Sequence, residues 1–472
     1  MTTSDIASEN EAAIAAYGSK TVAVEPGGVE HIPVEARHGK PSQLFWTWTS
    51  PNLEFATIAV GILGVLAFGL SFWQSLLAIV IGTGLGAITQ GLLSTWGPRS
   101  GLCQMVLSRR AFGFLGNILP AGLNAVVAGI GWFAVNSISA ALALHALIPG
   151  LPSGVCLVIV VLAMMLIAFA GHNLIQAFER YAMPALAVIF VIGLFFIFSK
   201  AKLSAPAAGG VPGGFLIMVG ASFGYAAGWN PYASDYTRYL PTKTSKRAVG
   251  LYAALGVFVS CVLLEAAGSA MVTAVAKPAV DPGIYTSVMP EWLGKLTLLA
   301  ITLGAVCANA LNVYSGSMSF MAMGVKLPTQ LARAAVAVVM SLVGLAVAFG
   351  GLGNAGASYE AFLLVIAYWI GPWVGVVLAD RLLFKEEDLT ARTSDTKFQN
   401  WAGPISMLTA MVISILLFSN QEKFVGLVVK GLPGLGDITF FIGFLIAFGL
   451  YVVLVRAMRP STTSVRVAAK AH

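Results

Sequence analysis

The sequence has few charged residues: only 10% of its 472 residues are Asp, Glu, Lys or Arg, whereas 58% are hydrophobic. Soluble domains carry about 25% charged residues, so this chain lacks the polar surface that contact with water requires. In a bilayer, apolar side chains face lipid and each helix satisfies its own backbone hydrogen bonds. The composition therefore disfavours a soluble enzyme and predicts an all-α polytopic membrane protein.

Signatures of several other protein classes are missing as well. The sequence has no P-loop and no His-Glu-x-x-His motif, so transport would be ion-coupled or passive rather than driven by ATP. Its four cysteines form no Cys-x-x-Cys pair, and we interpret them as small buried residues rather than as metal ligands or disulfides. The net charge of +7 is spread between apolar segments, which argues against a nucleic-acid partner.

Twelve apolar segments, called spans one to twelve, are long enough to cross a bilayer as helices of about 20 residues. Their predicted limits are 52–72, 75–96, 117–147, 153–172, 181–199, 212–234, 248–275, 296–324, 330–350, 358–384, 402–419 and 436–458. If the N-terminus is cytoplasmic, the inner side carries 21 Lys and Arg residues and the outer side carries 6. The positive-inside rule then predicts a multi-pass cell-membrane protein with both termini in the cytoplasm.

Two spans contain residues that interrupt helices. Span one contains Gly61, Gly64 and Gly69, and span six reads Gly-Ala-Ser-Phe-Gly-Tyr-Ala-Ala-Gly-Trp-Asn-Pro-Tyr over 220–232. Glycine lowers the cost of unwinding, and proline removes a backbone donor. Broken helices five spans apart predict two inverted five-helix repeats with two helices appended. The glycines of span one are equally consistent with close helix packing.

The predicted domains follow from this pattern. Residues 1–45 form a cytoplasmic N-terminal tail, 46–400 form a ten-helix transport core, 401–458 form two additional helices, and 459–472 form a cytoplasmic tail.

Isolated amide side chains lie inside spans three and eight, which correspond to each other in the two repeats. Trp132 and Asn136 are four residues apart, and Asn309 and Asn312 are three apart, so each pair shares one helix face. A polar group inside a membrane needs a partner. For each amide alone, an interhelical hydrogen bond without a ligand is the alternative.

The break of span six adds the aromatic residues Phe223, Tyr225 and Trp229. An aromatic face stacks on a heterocycle, and a carboxamide offers a donor and an acceptor that match a nucleobase edge. Together with the amides, these side chains predict a binding site for a flat ring with polar edges.

Three carboxylates are candidates for ion coupling or gating. Glu54 begins the predicted span one near the cytoplasmic face, and Glu265 lies well inside span seven, where a lone carboxylate can carry a proton. The alternative for Glu265 is a neutral, hydrogen-bonded acid. Asp235 lies three residues before Arg238 at the cytoplasmic end of span six, where a local salt bridge between the two is equally consistent with the sequence.

Short motifs then indicate a family. The segment Gly-Trp-Asn-Pro-Tyr-Ala-Ser-Asp-Tyr-Thr-Arg-Tyr-Leu-Pro at 228–241 resembles the span-six signature of the nucleobase–cation symporter family, in its purine–cytosine permease branch. Trp-Phe-Ala-Val-Asn at 132–136, Asn-Val-Tyr-Ser at 312–315 and Trp-Thr-Ser-Pro-Asn at 48–52 are similar to motifs of spans three, eight and one. The resemblance implies a leucine-transporter-type fold of five plus five inverted helices with two extra.

The resemblance also implies roles for individual residues. Trp132 would stack on the substrate ring, Asn136 and Asn312 would bind its edge, and Trp229 would contribute from the broken span six. Some family members carry hydroxyl side chains before the span-eight asparagine as sodium ligands, whereas residues 303–308 read Leu-Gly-Ala-Val-Cys-Ala here. This departure favours H+ as the coupling cation, although Ser315 and Ser317 leave Na+ open.

We therefore expect a secondary active transporter, and not an enzyme, that imports cytosine or a purine by H+ symport and alternating access. The alternatives are a Na+-coupled carrier of another heterocycle, such as a hydantoin, allantoin or thiamine, and a passive pore, for which no continuous polar stripe is found. The expected partners are the nucleobase and the lipid bilayer. We expect no cofactor beyond the coupling cation and infer no obligatory protein partner.

Overall fold

A computed structural model describes residues 13–14, 16–20, 23–325, 327, 331–353, 355–384, 390 and 392–458. In this part of the chain, nine helices are long and apolar enough to cross a membrane, or ten if the bent pair Gln43–Asn52 and Phe55–Leu66 counts as one span. Predicted spans six and eleven correspond to shorter apolar helices. The all-α membrane architecture is confirmed, and the number twelve stays a prediction.

The helices that correspond to the predicted spans keep the span numbers. They are Gln43–Thr49 and Phe55–Leu66 (one), Phe72–Ser94 (two), Ile118–Val126 and Phe133–Leu147 (three), Ser153–Ala170 (four), His172–Lys200 (five), Gly214–Ala227 and Ala233–Thr237 (six), Lys246–Ala274 (seven), Glu291–Ala322 (eight), Ala332–Gly351 (nine), Ala355–Leu383 (ten), Ala402–Phe418 (eleven) and Thr439–Met458 (twelve). Shorter elements connect them: α-helices Gly97–Ser100, Gln104–Phe112, Pro282–Thr286 and Leu427–Gly431, 3-10 turns Val34–Ala36, Ser50–Asn52, Asn230–Tyr232 and Pro433–Leu435, and the strands Asn420–Gln421 and Phe424–Val425.

The packing partners of the helices repeat after five spans. Span two packs on span six as span seven packs on span one, and span four packs on span eight as span nine packs on span three. Two copies of one five-helix unit produce this exchange of partners. Spans one, two, six and seven therefore form one group, and spans three, four, eight and nine form another. Span twelve packs outside them on spans ten and eleven.

The connections lie at two opposite ends of the bundle. Those after spans two, four and six meet the N-terminal segment, residues 23–38: Ile32 donates a backbone hydrogen bond to Gly101, Glu25 donates one to Ala170 at the end of span four, and His38 donates one to Tyr239. The connections after spans one and five instead meet each other, at residues 69 and 209–210. We call the end that holds residues 23–38 the N-terminal side.

Span one begins and breaks at other positions than predicted. Its first helix begins at Gln43, so the predicted boundary between tail and core at 45 falls inside a helix. The break lies at Leu53 and Glu54, where the two halves meet at 61°, and it follows a 3-10 turn that contains Pro51, which has no backbone N–H to donate. Contrary to the prediction from the sequence, Glu54 therefore does not begin span one, because a helix precedes it.

The glycines of span one do not break its second helix, so of the two alternatives the structure contains close packing. Helix Phe55–Leu66 is continuous through Gly61 and Gly64, and Gly69 follows its end. A Cβ atom at Gly61 would overlap with the backbone carbonyl oxygen of Glu265. The glycine thus permits close contact between spans one and seven, which is the packing role of small residues in membrane helices.

Candidate functional site

Span six is broken at the predicted place. Its first helix ends at Ala227, Gly228 and Trp229 follow, and a 3-10 turn with Pro231 leads into the second helix. A Cβ atom at Gly228 would lie 3.4 Å from the indole nitrogen of Trp132. The break therefore brings the backbone of span six directly beside the tryptophan of span three.

Spans three and eight also approach each other closely. A Cβ atom at Gly316 would lie only 2.8 Å from the backbone nitrogen of Gly129, so position 316 needs glycine. Span three forms a π-helical turn over Val127–Trp132, a local change of pitch that is frequent at functional sites. The close contact and the turn together direct the side chains of residues 132–136 toward those of 309–312.

A small cavity lies where the two broken spans face spans three and eight. Its lining residues are Glu54, Trp132, Asn136, Tyr225, Gly228, Trp229 and Asn312. Five of the seven predicted substrate-binding residues thus come together, and one predicted coupling residue joins them. The free space among them holds about one water molecule, so a heterocycle requires the walls to move apart.

Aromatic contacts fix the orientation of Trp132. The rings of Tyr225 and Phe362 meet the indole edge-to-face at centroid distances of 5.4 and 5.1 Å, a favourable geometry for aromatic pairs. The second tryptophan, Trp229, donates its indole N–H to Oδ1 of Asn52 at 2.9 Å. Both indoles are therefore held in place before a ligand enters.

Asn309 lies behind the cavity and sets the orientation of the two amides that line it. Its Nδ2 donates to the carbonyl oxygen of Phe133 at 2.8 Å, so its Oδ1 faces the other way. That Oδ1 accepts from Nδ2 of Asn136 at 3.2 Å and from Nδ2 of Asn312 at 3.3 Å. The Tyr232 hydroxyl occupies Oδ1 of Asn312, whereas Oδ1 of Asn136 is buried without a partner among the described residues.

Glu54 supplies a second unpartnered acceptor. It is 1% exposed; its Oε1 lies 3.4 Å from the Tyr225 hydroxyl, and its Oε2 has no hydrogen-bond partner in the described part of the chain. The Tyr225 hydroxyl lies closer, at 2.5 Å, to Oγ1 of Thr57, which itself donates to the Asn52 carbonyl. The Tyr225 hydroxyl proton is thus directed to Thr57, and the contact between this hydroxyl and the Glu54 carboxyl group is weak.

The structure does not bring Phe223 or Glu265 to the cavity. The Phe223 ring stacks on Phe440 of span twelve at 4.5 Å, so its predicted place in the substrate site needs correction. Glu265 is fully buried between spans two, six and seven, where it accepts from Ser222 at 2.8 Å and Thr83 at 3.5 Å. This is the hydrogen-bonded alternative that the sequence had left open.

Asp235 also lies away from the cavity, at the end of span six on the N-terminal side. Its carboxylate accepts from the backbone nitrogen of Gln104 at 2.8 Å. Arg238, its expected local partner, instead forms a salt bridge with Glu25 of the N-terminal segment at 3.3 Å. The alternative of a local pair between Asp235 and Arg238 is therefore not what the structure contains.

Sequence reasoning missed several residues around the cavity. Asn52 is completely buried and accepts from Trp229, and its place in the Trp-Thr-Ser-Pro-Asn motif at 48–52 was the signal that could have found it. Thr57 carries no such signal, because a threonine hydroxyl in an apolar helix usually bonds its own backbone, and Tyr359 lies in no motif that the sequence analysis singled out. Tyr359 donates to the carbonyl oxygen of Ala56 and packs against Trp132.

Comparison with known proteins adds three findings. A family model described as permease for cytosine/purines, uracil, thiamine, allantoin matches residues 31–443. The putative purine-cytosine permease YxlA of Bacillus subtilis is 29% identical over 450 residues, which cover 92% of this chain and 96% of that protein. The purine-cytosine permease fcyB of Emericella nidulans is 28% identical over 456 residues, with 91% and 88% covered.

A solved structure shares the fold. It is that of Mhp1, a nucleobase-cation-symport-1 family transporter, in a closed conformation with bromovinylhydantoin bound. The TM-score is 0.71 at 18% sequence identity, and the alignment covers 89% of this chain and 93% of Mhp1. This likeness confirms the predicted leucine-transporter-type architecture.

Proposed function

Because the chain belongs to the family of permeases for cytosine, purines, uracil, thiamine and allantoin, we propose that it imports cytosine or a purine by symport with a cation. Two similar proteins carry the name purine-cytosine permease. The observation that carries the proposal is the cavity itself, in which an indole lies beside polar atoms without partners. Its polar atoms face a space between two broken helices, where alternating-access carriers bind their substrates.

The cavity residues have complementary roles in this proposal. Trp132 supplies a flat face for stacking, which is worth about 1–3 kcal/mol per base. The free Oδ1 of Asn136 accepts from a ring or exocyclic N–H, and the break of span six offers backbone groups beside the ring. A ligand donor that reaches Asn136 removes the cost of a buried, unpaired acceptor. Asn312, which is held by Asn309 and Tyr232, closes the polar edge of the site.

We infer that the coupled cation is H+. Residues 303–308 of span eight carry no hydroxyl side chain, and a Cβ atom at Gly304 would overlap with the Leu53 carbonyl at the break of span one. The backbones are therefore in direct contact there. Glu54 offers a carboxyl group in the cavity that can take up a proton when the substrate enters.

The orientation follows from the basic residues. The N-terminal side carries the connections that are rich in Lys and Arg, so we infer that it faces the cytoplasm. Substrate and proton then enter from the opposite side and leave past residues 23–47.

Transport by purified protein in liposomes tests the proposal. We expect radiolabelled cytosine or adenine to accumulate when the outside is made acidic, and not when only a Na+ gradient is imposed. Accumulation that follows Na+ would make the chain a sodium-coupled carrier. Equal uptake with neither gradient would make it a passive pore.

A further inference from the structure

A second, larger cavity opens on the N-terminal side, between the start of span one and span five. Its volume is about 460 Å³, and its lining residues are Gly39, Lys40, Ser42, Gln43, Trp46, Thr47, Gln176, Glu179 and Arg180. Lys40 and Arg180 are exposed at its rim. The cavity is therefore open to water, unlike the small central one.

Glu179 is the buried polar group of this cavity. The residue is 1% exposed, and neither carboxyl oxygen has a hydrogen-bond partner among the described residues. Nε2 of Gln176, one turn earlier, is likewise unpartnered, while its Oε1 accepts from Thr47 at 3.0 Å. A buried carboxylate without partners is costly, and in a membrane helix such a group marks an ion or proton path.

The helix that carries Glu179 contacts two of the spans that line the central cavity. Span five packs on span eight and on both the first helix and the 3-10 turn of span one. The Cys307 thiol of span eight lies within electrostatic reach of both Glu179 and Glu54. Cys307 and Tyr236 of span six lie close enough to Glu179 to interact with it electrostatically, and Lys40 and Arg180 line the same cavity.

We propose that Glu179 is a proton-binding site through which the coupled proton leaves the transporter toward the cytoplasm. The proton passes from the Glu54 carboxyl group to the Glu179 carboxylate and then to water in the larger cavity. Each carboxyl group releases the proton that it took up, so both residues return to their starting protonation state for the next cycle. This role rests on the proposed H+ symport and assigns its inner proton site.

Two transport modes separate this role from a structural one. Exchange of labelled for unlabelled cytosine across the membrane needs no net release of protons, whereas accumulation against a gradient does. We expect Glu179→Gln to retain exchange within about twofold of wild type. Its accumulation driven by a pH gradient should fall at least tenfold, and its proton influx, measured with a dye inside the liposomes, should fall equally.

Two further variants complete the experiment. Glu179→Asp keeps the carboxyl group, so accumulation should return toward the wild-type level. Glu291→Gln alters an exposed residue that pairs with Lys295, and it should change neither transport mode.

The proposal is overturned by either of two results. One is a Glu179→Gln variant with wild-type accumulation and proton influx. The other is the parallel loss of exchange and accumulation in both the Gln and Asp variants, which would mean a structural role. A wild-type protein that responds only to Na+ contradicts the proposed coupling itself, and that result is visible before any variant is made.

Discussion

Glu25 and Glu54 are both buried carboxylates, yet their surroundings are opposite. Glu54, in the central cavity, has a weak contact with Tyr225 and one free oxygen. Glu25, on the N-terminal side, is surrounded by donors from spans five, six, eight and nine. Its partners are the Tyr239 hydroxyl, the Tyr314 hydroxyl at 3.1 Å, the His172 backbone nitrogen at 2.9 Å, Arg238 at 3.3 Å and Arg333 at 3.6 Å.

We interpret this difference as one of role: Glu25 holds a conformation in place, whereas Glu54 is free to receive a ligand. A buried network of hydrogen bonds and ion pairs rigidifies the elements that it joins, and the Glu25 network joins the N-terminal segment to four spans. Unpaired acceptors instead favour ligand binding, because the donors of a ligand remove the cost of leaving these acceptors buried and unpaired. We therefore propose that the N-terminal segment acts as a latch that holds this side closed, and that the cavity is completed by a ligand.

The largest expected effect comes from breaking the latch. Glu25→Ala leaves Arg238 and Arg333 buried without their carboxylate, which costs about 3–5 kcal/mol. We expect a lower melting temperature in detergent and faster maleimide labelling of Cys103, a buried thiol close to Arg238. The labelling is measured with the other three cysteines replaced by alanine.

Glu291→Ala provides the control for the latch, because its pair with Lys295 is exposed and such pairs contribute about 0–1 kcal/mol. Unchanged labelling of Cys103 in the Glu25→Ala variant would mean that the N-terminal segment does not hold this side closed.

The next largest effect is expected in the cavity. Trp132→Ala removes the stacking face and should weaken nucleobase binding by about 1–3 kcal/mol, and Asn312→Ala should also weaken it. Binding is measured by calorimetry on purified protein. Trp73→Ala is the matched control, because that side chain is 59% exposed on the outside of span two. Near-normal binding by both cavity variants would refute the site.

A smaller effect is expected from Asn309, which orients the cavity amides without lining the cavity. Asn309→Ala should weaken binding by about 1 kcal/mol through the lost orientation of Asn136. The double variant with Asn136→Ala should then cost less than the two single changes added together. Strict additivity would mean that the two amides act independently.

The smallest effect is expected from Glu265. Glu265→Gln keeps one oxygen, which can still accept from Ser222, and gives up only the longer contact with Thr83; the residue also lies outside the cavity. We therefore expect the pH profile of uptake to match that of wild type, whereas Glu54→Gln should flatten it. A changed profile for Glu265→Gln would return this residue to the coupling path.

The predictions that succeeded came from local physical rules. Low charge and long apolar runs predict membrane helices, and glycines followed by proline predict the break of span six. Residues three or four apart share a helix face, which brought Trp132, Asn136 and Asn312 to one cavity.

The predictions that failed depend on packing between distant segments. The side of the helix on which Phe223 lies is decided by Phe440 of span twelve, more than 200 residues away. Glu54 was misplaced because the polar stretch 43–52 lowers the hydropathy of the first half of span one. Glu179 was overlooked because it is flanked by the polar start of span five, where a carboxylate looks like a surface residue.

A structure determined with cytosine bound tests the central claim most directly. We predict that the ring stacks on the indole of Trp132, with its N–H groups directed at Oδ1 of Asn136 and at the carboxyl group of Glu54. A ring found outside the cavity between spans one, three, six and eight, or one without contact to Trp132, would contradict the account.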